Sequence, residues 1–141
     1  MLVAVFDTNI LFSAIGWRGN PYECLEASRA RIVTGLTCRE ILEELDEKLR
    51  SKLRFSYSDS AEAVADLLGF LHVIPVTGTV RVVSADPDDD KVIECALEGA
   101  ASHIVSGDER HLLPMGHHGK IKIVRAADFL RELGDQQASR D

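Results

Sequence analysis

The chain has 141 residues, of which 45% are hydrophobic, and a formal net charge of −7 from 16 basic and 23 acidic side chains. That length and apolar content are those of one globular domain with a core of its own, which excludes a disordered tail. The acidic balance argues against a conventional nucleic-acid binder with a basic footprint. Acids gathered around a cation nevertheless reverse their local sign once the ion is bound. Three cysteines, Cys24, Cys38 and Cys95, are odd in number and have no metal-like spacing. They are expected to be reduced thiols of a cytoplasmic protein. The opening MLVAVFDTN lacks a basic leader and Asp7 interrupts it, so no signal peptide is expected. No run approaches the roughly 18–20 apolar residues of a membrane span.

In chain order, LVAVF (2–6) is a continuous apolar run, as in a strand buried on both faces. Residues 9–15 suit a short helix, 16–21 a turn, and 22–31 a helix with Pro21 near its first turn. IVTGL (32–36) is a strand candidate. Thr37, with Glu40 three residues on, forms a capping-box pattern for a helix whose stripe is Ile41, Leu42, Leu45 and Leu49. A further helix is expected from Ser58 or Ser60 to about Leu71, followed by a strand over 72–76. After a connection containing glycine and valine comes SADPDDDKVIECA (84–96), four aspartates in five residues, then a helix to about Gly99. HIVS (103–106) and IKIV (121–124) are strands, SGDERHLL starts a short helix, and AADFLREL closes the domain. Residues 1–133 are expected to form one domain and 134–141 a flexible tail. His117 and His118, between glycines, are expected in an exposed loop.

Strands alternating with helices, with uninterrupted apolar strands, imply an α/β domain whose mostly parallel sheet is covered on both faces. Function then collects at the carboxyl ends of the strands, where Asp7 and Asp108 both fall. On the helix after the aspartate cluster, Val92, Ile93, Ala96, Leu97 and Ala100 share a face. Asp89 lies near the middle of that face, Asp90 on its flank, and Asp86 and Asp88 ahead of the helix. An inward carboxylate needs a partner or a cation, whereas acids beside a helix N-terminus need only its positive end. No glycine stands at the required sixth position after Asp86, which excludes an EF-hand. On the preceding acid-rich helix Glu44 and Asp46 flank the apolar stripe, and periodicity does not choose between them.

These blocks together resemble the PIN domains, within them the toxin components of bacterial and archaeal toxin–antitoxin systems (VapC-like ribonucleases). The likeness lies in VFDTNILFSAI, TCREILEELDEKL, DPDDDKVIECALEGAASHIVSGDERHLL and IKIVRAADFL, in that order. It implies a three-layer α/β/α domain in which Asp7, Glu44, an acid of the cluster and Asp108 are catalytic and bind metal. Asp89 is favoured for the third place by helical register, and Asp90 is the alternative. Asn9 and Ser106 match supporting positions, and His111 stands where the family often has a further acid. The resemblance implies a cytoplasmic ribonuclease that hydrolyses single-stranded RNA, a cognate antitoxin, and a homodimer. The alternative is an RNA-processing interaction module without strong activity.

Carboxylates alone repel a phosphodiester. Three or four of them holding one or two Mg2+ or Mn2+ ions provide a Lewis acid and an activated water, with no nucleophilic side chain. No Gly-x-x-x-x-Gly-Lys loop is present, which argues against an ATPase. The order of the acids does not suit a phosphoacceptor signalling domain. Arg50, Lys52 and Arg54 in RSKLR form the densest basic group, a candidate RNA contact or simply a basic helix end. Lys120, Lys122 and Arg125 form a second.

Overall fold

The protein is described by a computed structural model covering residues 1–80 and 86–139, with the side chain of Pro87 left aside. The connection at 81–85 and residues 140–141 lie outside it. In chain order the elements are β1 (Val3–Phe6), α1 (Thr8–Gly16), α2 (Asn20–Arg29), β2 (Thr34–Thr37), α3 (Arg39–Lys52), α4 (Tyr57–Leu68) and β3 (His72–Val73). There follow α5 (Pro87–Glu98), β4 (His103–Val105), α6 (Leu112–Met115), β5 (His117–His118), β6 (Ile121–Val124) and α7 (Ala126–Ala138).

The strands form one sheet in the order β3-β2-β1-β4-β6-β5. Every pairing is parallel except β5 with β6. The α/β class with a mostly parallel sheet is therefore as the sequence implies. β1 is central, and Ala4, Val5 and Phe6 are completely buried, which is why its run shows no alternation. Val5 pairs with Leu36 on one side and Ile104 on the other. Opposite Ala4 stands Gly35. A Cβ there would lie 2.5 Å from Leu71 Cδ2 and 2.6 Å from Ser28 Oγ, so only glycine lets the overlying helix and loop close on β2.

Helices pack over the sheet: α1 on α2 and α3, α2 on α7, α3 on α4, and α5 directly on β1, β2 and β4. Phe129 of α7 meets Phe6 edge-on at 6.4 Å between centroids, an arrangement that adds to plain area burial. Cys24, Cys38 and Cys95 are all buried and free. On α5, the buried Glu94 carboxylate accepts the backbone N–H groups of Thr77 and Gly78, the latter at 3.0 Å. This fastens the segment after β3 to the helix. Burial works to raise the Glu94 carboxyl, but these hydrogen bonds outweigh it and hold it below its ordinary value.

Several local expectations change. Thr37 is the last residue of β2, paired with Val73, and does not cap α3. Its hydroxyl is buried without a hydrogen bond, and the N-cap is Cys38, with no side-chain bond. The backbone of Thr37 is committed to the ladder, accepting from Ile74 N, so the helix starts later. The capping box is instead Ser56 with Asp59, ahead of α4. β3 is confined to His72–Val73. His117 and His118 form β5, not a loop, because β6 offers a free edge to pair with. Helix α7 continues past Leu133 to Ala138.

Candidate metal centre

The order of strands reverses at β1: β2 and β3 lie to one side of it, β4 to the other. The crevice beyond the carboxyl ends of β1 and β4 is thus the switch point where such sheets bind ligands. A cleft of about 500 Å³ opens there. Asp7, Glu44, Asp89 and Asp108, from four separate segments, all line it.

Asp7 follows β1 and is the N-cap of α1, its Oδ1 accepting Ile10 N at 2.9 Å. Its Oδ2 accepts the Ser106 hydroxyl at 2.5 Å. Burial pushes the Asp7 carboxyl above the usual carboxylate range, against the pull of Ser106 and the Ile10 and Gly107 N–H groups. Ser106 Oγ also accepts Asp108 N at 2.9 Å, so one hydroxyl ties the first acid to the turn carrying the fourth. Asp108 accepts the N–H groups of Arg110, His111 and Leu112 at 3.0, 3.2 and 3.3 Å. Its burial would raise its pKa, but those bonds prevail and hold it low.

Glu44 projects from α3 toward α5, where Lys91 Nζ lies 2.8 Å from its Oε2. Burial opposes ionisation of Glu44, and the hydrogen bonds from Lys91 and Thr8 overcome it. Asp46 turns to the other flank of α3, accepting from Ser60 and Arg50. The two acids that periodicity could not separate are thereby distinguished. Asp89, in the first turn of α5, has its carboxyl pushed up to about 7 by burial and by the charges of Asp108 and Asp86. Its Oδ2 is buried without a hydrogen bond, and His111 Nδ1 stands 3.1 Å away. Asp90, expected on the flank of the helix, is buried and is not among the described residues lining the cleft.

Of the supporting candidates, Ser106 is placed as described, and Asn9 lines the cleft holding Lys48 Nζ at 2.6 Å. Arg50, Lys52 and Arg54 are not among the described cleft residues. Arg50 pairs with Asp46 at 3.0 Å and lies over Tyr57. Asp88 is inside α5, and Asp86 is its N-cap, accepting Asp88 N at 2.9 Å. Asp86 also lines the cleft, with Lys48, Lys91 and Arg110. Lys48 was discoverable, being one turn beyond Glu44 on the same helix. Lys91 was not, since its approach to Glu44 is tertiary, whereas Asp86 belongs to the aspartate cluster and reaches the cleft as the local cap of α5.

The donor set fits a divalent cation that prefers oxygen. It consists of carboxylates with one imidazole, and the Asp89 oxygen lacks a hydrogen-bond donor. Asp86, Asp89 and His111 present ligand atoms within 4.8 Å of one another.

Fold and cleft together define an α/β domain with a carboxylate cluster at the switch point of its sheet. The sequence model of the PIN domain matches residues 3–110, and the chain belongs to the PIN domain family. Comparison with curated proteins gives no match. Among solved structures, the chain is similar in fold to one in the crystal structure of VapBC2 from Rickettsia felis bound to a DNA fragment from their promoter. The TM-score is 0.62 at 16% identity, over 86% of this chain and 97% of that one. No helix among the described residues is long and apolar enough to cross a membrane.

Proposed function

We propose that this PIN domain is a metal-dependent endoribonuclease that hydrolyses phosphodiester bonds of single-stranded RNA, acting as the toxin of a toxin–antitoxin pair. The observation that carries the reading is the convergence of Asp7, Glu44, Asp89 and Asp108 on one cleft. Asp7, Glu44, Asp89 and Asp108 would hold Mg2+ or Mn2+. The bound ion would supply a water of lowered pKa and neutralise charge on the phosphate.

The chain's own groups prepare that chemistry. Ser106 and Ile10 N orient Asp7, and three N–H groups orient Asp108. Lys91 keeps Glu44 ionised while the site is metal-free. The Lys48 and Arg110 side chains on the rim are cations suited to a phosphate backbone. An antitoxin partner belongs to the same proposal. It is supported by the sequence resemblance to toxin components and by a fold neighbour solved as VapBC2. Location in the cytoplasm follows from that reading.

The test is cleavage of a labelled single-stranded RNA by purified protein with Mn2+ or Mg2+. Activity should vanish with EDTA and in Asp7→Asn. Undiminished cleavage in either case refutes the metal mechanism. Growth arrest on expression, relieved by co-expressing a neighbouring small open reading frame, separates a toxin from a housekeeping nuclease.

A further inference from the structure

His111 is the one imidazole among the described residues lining the cleft. Its backbone is held by the cluster it faces, since His111 N donates to Asp108 Oδ1 at 3.2 Å. Its Nδ1 then stands 3.1 Å from Asp89 Oδ2 and 3.7 Å from Asp108 Oδ2. Although the shorter contact has hydrogen-bond length, Asp89 Oδ2 has no hydrogen-bond partner. The ring nitrogen and the oxygen are adjacent without one donating to the other.

Such a spacing has another meaning. Around an octahedral ion with bonds of about 2.1 Å, neighbouring ligand atoms lie about 3.0 Å apart and opposite ones about 4.2 Å. The 3.1 Å separation is that of two neighbouring ligands. Asp86, Asp89 and His111 present ligand atoms within 4.8 Å of one another, a bound slightly wider than one coordination shell, so an ion would draw the three together. Asp86 is restrained as well, because it caps α5 through Asp88 N.

We infer that His111 Nδ1 is a ligand of the cation in this cleft, and that it makes the centre select a first-row transition ion, Mn2+ over Mg2+. The inference rests on the cleft being a metal centre, as proposed above. Imidazole nitrogen binds transition ions well, whereas Mg2+ favours carboxylate, carbonyl and water oxygen. Replacing one oxygen by nitrogen therefore penalises Mg2+ more than Mn2+.

The experiment uses the full chain, stripped with EDTA and desalted. Mn2+ is added, and electron spin-echo envelope modulation is recorded for coupling to 14N. Calorimetric titrations give the Mn2+ and Mg2+ affinities of wild type, His111→Ala and His111→Asp. Wild type should show the 14N modulation of one imidazole, and both variants should lose it. His111→Ala should bind Mn2+ about tenfold more weakly or worse, with a smaller change for Mg2+. His111→Asp, with an all-oxygen set, should shift preference toward Mg2+ and serves if His111→Ala fails to fold. Mn2+ bound without 14N modulation, or with modulation that persists in His111→Asp, overturns the assignment and leaves the metal centre standing. No Mn2+ binding to the wild type overturns both.

Discussion

Replacing Asp89 by Asn should make the metal-free protein more stable at alkaline pH while abolishing cleavage. The Asp89 carboxyl is pushed from its ordinary value of 3.8 up to about 7, first by burial and then by the charges of Asp108 and Asp86. At 1.36 kcal/mol per unit this is at most about 4 kcal/mol of destabilisation once the group is ionised. Water reaches the side chain, which is 15% exposed, and screening brings the figure to about 1–3 kcal/mol. Because the folded-state pKa is raised, the native chain keeps a proton that the unfolded chain has released between about pH 4 and pH 7. Stability of the metal-free wild type therefore falls with rising pH through that window and levels off above it. Asn carries no charge at any pH and escapes this loss. Thermal melts in EDTA should show the stability difference between variant and wild type growing by about 1–2 kcal/mol from pH 5 to pH 8. For a chain of this length that is roughly 2–8 °C in Tm. Added Mn2+ should then raise the wild-type Tm and leave the variant nearly unmoved. A pH-independent difference, or one that shrinks toward pH 8, refutes the repulsion argument.

Asp7→Asn should abolish RNA cleavage yet keep the fold, because Asn caps a helix as well as Asp; nuclease assays paired with circular dichroism check both halves. Glu94→Ala withdraws the acceptor from Thr77 N and Gly78 N and should destabilise by about 3 kcal/mol, read from urea unfolding. Gly35→Ala forces a methyl against Leu71 and Ser28, and the same measurement should register a loss of about 1–3 kcal/mol. Arg110→Ala, on the cleft rim, should weaken RNA binding and reduce the slope of log K against log salt by about one, measured by fluorescence anisotropy with the Asp7→Asn background preventing turnover.

The alternation of strands and helices was legible because β1 and β4 are buried on both faces, so their apolar runs stand out. Asp7 and Asp108 were legible for the same reason: each is a charge just beyond such a run. The aspartate helix was less so. Its apolar period includes Leu97, which is 45% exposed in the fold. Meanwhile Asp90 and Glu94, one turn apart, are buried on a second face, where Glu94 meets the segment after β3. A face buried through polar contacts leaves no apolar period to read. β5 was hidden because two residues are too few for any period, and its existence depends on the edge of β6. Glu44 could be preferred to Asp46 only through the family likeness, since both flank the same stripe and what separates them is Lys91 on another helix.

Both α1 and α5 begin at the cleft, with Asp7 and Asp86 as their N-caps. Two helix amino ends bring roughly one elementary charge of positive potential to the place where the acids gather. That potential is part of the backbone, present as soon as the helices form. It partly offsets the mutual repulsion of the carboxylates before any ion arrives. On the metal centre proposed above, the chain would fold first and be loaded afterwards. Stripping the ion should then leave an intact, inactive domain ready to be recharged.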